Sequence, residues 1–170
     1  MKSIMSSNWV RYAGAFLAST LLTLTVLGIS AIPTFAAPLQ EEIAERMMEL
    51  QSSDNRWISV DLTNQRLIAW EGGSQVYAVI ISTGKKSTPT RQGVFTIKSK
   101  HRTDRMRGEG YDVPNVPYAM YYEGSYAIHG AFWHHRFGTP VSHGCVNVAV
   151  NHARWLFDWA SVGTPVIIHD

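Results

Sequence analysis

The chain has 170 residues, of which 45% are hydrophobic and 11% aromatic, a composition typical of a globular domain and not of a disordered chain. The formal net charge is +2, and Lys2 and Arg11, both close to the N-terminus, account for it. The rest of the chain has 13 basic and 13 acidic residues. Because this balance provides no basic surface of the kind that binds nucleic acid, no nucleic-acid partner is expected.

An apolar run without charged residues covers residues 12–32. Basic residues precede it and the small residues of "TFA", at 34–36, follow it, as in a secretory signal with its cleavage site. A helix of about 20 residues is also long enough to stay as a membrane anchor. Pro33 would end the helix before the small residues, which favours cleavage. We therefore interpret residues 1–36 as an export signal or a membrane anchor, and we expect the rest of the chain to lie in the periplasm or cell envelope.

Residues 37–53 are predicted to form a short helix, because apolar residues recur at helical spacing among glutamates. This helix is either a linker or an element that packs on the domain, and we place the domain itself at residues 54–170. The apolar positions of the helix are Leu39, Ile43, Met47 and Leu50.

After Asp54 the pattern changes to short runs rich in β-branched and aromatic residues, which are typical of strands. Gly72-Gly73 lies between two such runs and predicts a hairpin. The predicted strands are "RWISVDL", "RLIAWE", "QVYAVIIST", "GVFTIKS", "YAMYYE", "SYAIHG" and "TPVIIHD".

A single convincing helix is predicted in this part of the chain, from about Val148 to Ala160, where apolar residues form a stripe that Gly163 and Pro165 terminate. The polar residues 99–117, with two glycines and two prolines, are predicted to form a long loop, and such loops often act as lids. The expected fold class is mainly β, with one late helix.

Cys145 is the only cysteine, so it cannot form a disulfide within the chain. It lies in the turn "VSHGCVNV" just before the predicted helix, and His129 ends the strand "SYAIH". The positive end of a helix and a nearby protonated imidazole would both favour the thiolate. Gly144 would let the backbone approach a substrate and direct N–H groups at an oxyanion. These features suggest a nucleophilic thiol with an imidazole as its base.

Other interpretations stay open on these residues alone. A lone cysteine is often buried and inert, and His129 and His143 could both be structural histidines. A metal site is a further alternative, but His143 and Cys145 are only two positions apart, which is unlike the usual spacing of structural zinc ligands. We expect neither a metal nor another cofactor. The stretch "FWHHRFG", with His134, His135 and Arg136, either lines the rim of the site or forms a solvated loop.

The blocks "IHG" and "SHGCVN" resemble the signature of the L,D-transpeptidases with a YkuD-type catalytic domain. "STGKKSTPTRQGVFTI" and "VPYAMYYEGSYAIHG" resemble two more stretches of that family, so the resemblance covers about residues 57–169. It implies a compact β-sandwich-like domain with a helix after the catalytic cysteine.

The resemblance also implies roles for single residues. Cys145 corresponds to the nucleophile and His129 to the general base and acid, while the carbonyl of Gly130 would orient the imidazole. The other implied site residues, which shape the oxyanion site or contact the substrate, are Ser142, His143, Gly144, Asn147 and a lid tyrosine, Tyr111.

The activity implied by the resemblance is acyl transfer on peptidoglycan stem peptides. The cysteine would attack the carbonyl at the L-centre of meso-diaminopimelate in a tetrapeptide, and the histidine would protonate the departing D-alanine. The amine of a second stem would then attack the thioester and form a 3→3 cross-link. Hydrolysis of the same thioester, an L,D-carboxypeptidase outcome, and a non-catalytic wall-binding module are the alternatives.

Overall fold

The computed structural model describes residues 36–170. The export signal or anchor expected at residues 1–36 lies outside the described residues, except for Ala36. Within residues 36–170, no helix combines the length and the hydropathy needed to cross a bilayer. The elements, in chain order, are α1 (Ala36–Gln51), β1 (Arg56–Asp61), β2 (Arg66–Glu71), β3 (Ser74–Ile80), β4 (Gly93–Thr96), β5 (Ser99–Gly108), β6 (Tyr111–Glu123), β7 (Tyr126–Gly130), β8 (Val146–Val148), α2 (Val150–Trp159) and β9 (Pro165–His169).

Two β-sheets pack face to face. The first has the strand order β3-β2-β1-β9-β4 and the second the order β5-β6-β7-β8. The inward-facing side chains of both sheets form one buried core, in which Ile58 and Leu67 of the first sheet lie with Met120 and Ile128 of the second. The expected mainly β, sandwich-like fold with a helix after Cys145 is therefore confirmed.

Helix α1 packs on the outer face of the first sheet. Its side chains Ile43 and Leu50 are buried together with Trp57 of β1 and Ile167 of β9. Burial of an aliphatic side chain of this size contributes roughly 1.5–3 kcal/mol. Of the two alternatives for this segment, the structure therefore has the helix that packs on the domain.

The prediction of a loop over residues 99–117 is wrong. Strands β5 and β6 pair as a long antiparallel hairpin whose turn lies at Glu109-Gly110. Strand β5 is at the edge of its sheet, so most of its side chains meet solvent, and a polar composition there fits a strand as well as a loop. The pairing is irregular between Asp104 and Met106, and Asn115 on the partner strand has a φ of 56°.

Strand β8 was not expected from the sequence. Val146–Val148 pair in parallel with β7, and α2 begins only at Val150. Because the strand lies between Cys145 and the helix, the cysteine is five residues away from the first helical residue. The electrostatic effect of a helix end falls off within one turn, so the expected help from this helix for a thiolate does not apply.

Candidate active site

Parallel pairing of β7 with β8 brings the two reactive side chains to the same face of the second sheet. His129 is paired with Asn147, and Ile128 with Val146. Because side chains alternate along a strand, Ile128 and Val146 enter the core, while His129, Asn147 and Cys145 lie on the opposite face. Both Cys145 and His129 line one pocket of about 380 Å³.

His129 is buried and held in one orientation. Its Nδ1 lies 3.1 Å from the carbonyl oxygen of Gly130. Since a carbonyl only accepts hydrogen bonds, Nδ1 carries the proton and Nε2 is the unprotonated nitrogen. The ring of Trp133 stacks against the imidazole at 5.7 Å between centroids. Burial lowers the pKa of His129 to about 4, so the ring is a neutral base at neutral pH.

Glycine at position 130 lets the backbone that carries this carbonyl pack closely, because a side chain would not fit there. A Cβ at this position would lie 2.9 Å from Cγ of Pro117 and 3.4 Å from Cβ of Ala153. The strand therefore sits tightly between β6 and α2. The orienting contact expected from the resemblance is present, made by the residue next to the histidine itself.

Cys145 is half-buried, and its Sγ lies 3.7 Å from the carbonyl oxygen of Ser125. Burial raises the pKa of the Cys145 thiol, and a hydrogen bond from the backbone of Ala127 opposes this only in part. The expectation of a favoured thiolate is therefore wrong for the resting protein. Desolvation penalises the charged forms of both Cys145 and His129, so the pocket that they line favours a neutral thiol and a neutral imidazole.

The turn before Cys145 is closed by side-chain hydrogen bonds. The hydroxyl of Ser142 donates to the carbonyl of Cys145 (2.6 Å) and accepts from the N–H of Gly144 (3.0 Å). Thr90 donates to the carbonyl of Gly144 at 2.8 Å. The N–H of Gly144 is thus engaged inside the turn, contrary to its expected role as an oxyanion donor. Within the described residues 36–170, the backbone N–H groups of His143 and Cys145 in this turn have no hydrogen-bond partner.

Gly144 is the position where this turn is most constrained. Its φ is +114°, and an added Cβ would lie 2.4 Å from the ring of Tyr126. We expect Gly144→Ala to lower the free energy of unfolding by about 3 kcal/mol, from backbone strain and the clash together. Urea unfolding measures this change. Gly110→Ala is the matched control, since Gly110 has a φ of +77° and nothing within 4 Å, so only strain of about 1 kcal/mol is expected. Equal losses in the two variants would contradict the clash.

The distal part of the β5–β6 hairpin roofs the pocket. Met106, Tyr111 and Val113 line it from above, and the ring of Tyr111 stacks on His143 at 4.8 Å between centroids. Burial raises the pKa of Tyr111, with smaller contributions from the charges of Cys145 and Tyr126. The tyrosine expected at a lid is therefore at the site, on a strand and not on a loop.

Asn147 is buried, and its side-chain amide lies 2.9 Å from Nε2 of His134. Nδ1 of His134 accepts a hydrogen bond from the N–H of Arg136 at 3.2 Å. Burial lowers the pKa of His134, so this second imidazole also favours its neutral form. His134 and Arg136 line the pocket, and so does Trp133, which no sequence motif singled out. A substrate contact by Asn147 stays a prediction.

A second pocket, of about 450 Å³, is also lined by Cys145. Arg105, Tyr121 and Ser125 belong to it, and it shares Met106, Tyr111 and Cys145 with the first pocket. Arg105 is paired with Asp112 at 2.6 Å across the hairpin. Cys145 is therefore accessible along two routes. Within residues 36–170, no group of three or more His, Cys, Asp or Glu side chains is arranged to hold a metal ion.

The buried imidazole has a measurable effect on stability. Because the pKa of His129 is about 4 in the folded chain against an ordinary value of 6.5, the unfolded chain takes up a proton first as the pH falls. The free energy of unfolding is therefore unaffected by protonation of His129 above pH 6.5, and it falls as the pH is lowered from 6.5 to 4. We expect this difference in proton uptake to lower the free energy of unfolding by about 3 kcal/mol over this range. Denaturant titrations of the wild type and of His129→Gln at several pH values measure it, and parallel pH curves for the two proteins would contradict a buried neutral imidazole.

Comparison with known proteins identifies the family. The family model YkuD, the L,D-transpeptidase catalytic domain, matches residues 55–168. The chain belongs to the YkuD family. Among curated YkuD-type relatives, the putative L,D-transpeptidase YciB of Bacillus subtilis is 26% identical over 131 residues, which are 66% of this chain and 64% of that protein. The probable L,D-transpeptidase ErfK/SrfK of Escherichia coli is 30% identical over 144 residues, 71% of this chain and 46% of that protein.

Solved L,D-transpeptidase structures share the fold. The catalytic domain of the Enterococcus faecium L,D-transpeptidase has a TM-score of 0.62 and 31% identity, covering 68% of this chain and 98% of that one. An L,D-transpeptidase from Mycobacterium smegmatis has a TM-score of 0.64 and 27% identity, covering 68% and 59%. The YkuD domain of this chain spans between 26% and 64% of the length of the curated relatives that it matches.

Proposed function

We propose that this chain is an exported L,D-transpeptidase that cross-links peptidoglycan stem peptides through a thioester on Cys145. The observation that carries the proposal is that Cys145 and a buried, neutral His129 line one pocket, and that Cys145 also lines another. A transfer reaction needs an acyl donor and an acyl acceptor at one nucleophile, and two routes to the sulfur suit that need. Membership of the YkuD family supports the same class of reaction.

The first half-reaction uses the neutral pair. The proton of the Cys145 thiol moves to Nε2 of His129 as sulfur attacks the carbonyl at the L-centre of meso-diaminopimelate in a stem tetrapeptide. The N–H of Cys145, which has no backbone partner among the described residues, would donate to the oxyanion. The imidazolium formed is unfavourable in its buried site, so it passes its proton readily to the departing D-alanine amine. A thioester remains on the sulfur.

The second half-reaction reverses these roles. The side-chain amine of a second stem peptide reaches the thioester through the other pocket and loses its proton to His129. The product is a 3→3 cross-link, and the thiol is regenerated. No metal, nucleotide or other cofactor enters this scheme, because the thioester retains the free energy of the cleaved peptide bond. Such a reaction suits the periplasm or cell envelope, the location that the sequence of residues 1–36 favours, with cleavage or membrane anchoring of that segment both compatible.

Incubation with a disaccharide-tetrapeptide, followed by mass spectrometry of the products, tests the proposal. Cross-linked dimers with released D-alanine are expected. Disaccharide-tripeptide without dimers would replace the transpeptidase by an L,D-carboxypeptidase on the same site. An unchanged substrate in the presence of folded protein would refute catalysis and leave a wall-binding module.

A carbapenem is expected to trap the nucleophile. Imipenem has been seen in complex with the structurally similar L,D-transpeptidase LdtMt1 (TM-score 0.64, 29% identity). We expect imipenem to acylate the single cysteine of this chain, with a mass increase of one adduct in the intact protein and none in Cys145→Ala. An adduct on the alanine variant, or an unmodified wild type, would speak against Cys145 as the acylated group.

A further inference from the structure

The loop that follows β7 separates the active-site pocket from a third and larger cavity, which is distinct from the two that Cys145 lines. The residues of the loop are divided between the active-site pocket and this third cavity, so the loop is a shared wall. Those that line the active-site pocket are Trp133, His134 and Arg136, and those that line the outer cavity are Phe132, His135 and Phe137. We call the outer cavity the side groove. The proposed reaction gives no task to this half of the "FWHHRFG" stretch.

The side groove has a volume of about 690 Å³ and combines aromatic rings with polar side chains. Tyr118 of β6 lines it, and Asn151 and Arg154 of α2 form its polar edge. Phe132 is 52% exposed, so about half of this large apolar side chain is available to a ligand. No carboxylate is found among the described residues that line the groove. Arg154 has only a loose ion pair with Asp158, at 3.8 Å.

This combination of groups selects among ligands by their chemistry. A purely apolar ligand would leave the amide of Asn151 and the guanidinium of Arg154 unpaired, which is costly for groups that lose water. A cationic ligand would be repelled by Arg154. A saccharide satisfies both parts, because the C–H faces of its rings pack on aromatic side chains and its hydroxyl and acetamido groups accept and donate hydrogen bonds.

We propose that the side groove binds the saccharide part of the peptidoglycan strand whose stem peptide occupies the active-site pocket. The inference rests on the proposed function, since a saccharide is brought to the groove only if the active-site pocket holds a sugar-linked stem. The wall also couples the two sites mechanically. Phe132 contacts Trp133 edge to face at 5.1 Å, and Trp133 stacks on His129. A sugar held at Phe132 therefore positions the stem relative to the imidazole.

The test compares two acyl donors that differ only in the sugar. With the full chain, kcat/KM is measured for the disaccharide-tetrapeptide and for the same tetrapeptide without the disaccharide. We expect the wild type to prefer the sugar-linked donor by about tenfold or more, and Phe132→Ala to reduce this ratio by about tenfold, the size of effect that truncation of a central binding residue has. Arg154→Gln is expected to reduce it less, because it removes a polar contact and keeps the aromatic surface.

A matched control and a binding measurement complete the test. Val162→Ala also truncates an exposed apolar side chain, 62% exposed, which lines none of the three cavities, so it should keep the wild-type ratio.

Binding of the disaccharide alone is followed by NMR, with shifts expected in the wild type and weakened in Phe132→Ala. Equal kcat/KM for the two donors in the wild type would overturn the groove and leave the proposed function standing. If neither donor reacts, the proposed function fails, and the NMR titration alone decides on the groove: no shifts, or equal shifts in the two proteins, overturn it.

Discussion

Replacement of Cys145 by alanine is expected to lower kcat/KM for stem tetrapeptide by at least about 10⁴-fold, because the only group that can carry the acyl intermediate is removed. The same change is expected to alter the free energy of unfolding by no more than about 1 kcal/mol. Cys145 is half-buried, and its sulfur makes only weak polar contacts, a long hydrogen bond to Ser125 and one from the backbone of Ala127, so little packing or bonding energy is lost. Kinetics on the disaccharide-tetrapeptide and a thermal melt measure the two effects.

Cys145→Ser is the informative companion to this variant. It keeps a hydrogen-bond donor for the carbonyl of Ser125, so its stability should match that of the wild type. A hydroxyl is much less acidic than a thiol, and a base whose pKa is about 4 gives little help in removing its proton. The serine variant should therefore be as inactive as the alanine variant. Cross-linked dimers formed by Cys145→Ala at a rate near that of the wild type would refute the nucleophile.

Substitution of His129 by glutamine is expected to lower kcat/KM by about 10³-fold, the typical contribution of a positioned general base. Glutamine still donates to the carbonyl of Gly130, but it has no nitrogen that can take the thiol proton. In the wild type, kcat/KM should stay level from neutral pH down to about pH 5 and fall as the pH passes through the pKa of His129, about 4. kcat/KM falls on the acid limb of the pH profile because protonation of His129 removes the base. The residual activity of His129→Gln should show no such limb.

His143→Gln is the matched control, because it replaces another imidazole of the same pocket. His143 is exposed and stacks on Tyr111, so its loss should weaken the roof contact and cost less than about tenfold. Two results would contradict the assignment of the base. One is a His129→Gln variant as active as the wild type. The other is a wild-type limb centred near pH 6.5, which would mean that burial does not hold the imidazole neutral.

Much of the fold follows from short-range patterns in the sequence. The Gly72-Gly73 pair gives the hairpin between β2 and β3, where Gly72 has a φ of +55°, and the apolar stripe of α2 gives the helix after Cys145. The β5–β6 hairpin was not predictable in this way. The residues of β5 are polar because an edge strand faces solvent, so they lack the alternation of apolar and polar residues by which a strand is recognised in a sequence.

The candidate site was predictable in its residues but not in its charge state. The resemblance carried by "IHG" and "SHGCVN" selected His129, Gly130 and Cys145, and the structure brings them together. The neutral form of the pair depends on how much solvent the folded chain excludes, and no local pattern encodes that. The same holds for Trp133 and Met106, which enter the site because a loop and a distant hairpin converge there.

The raised pKa of the Cys145 thiol has a consequence for the survival of the enzyme. Peroxides and disulfides react with thiolates, and a cysteine kept protonated is a slow target for both. In the oxidising compartment that we propose for this chain, such a sulfur would stay reduced for longer between the proposed catalytic cycles. The burial that lowers the reactivity of the resting thiol thus also protects the sulfur of Cys145 from oxidation.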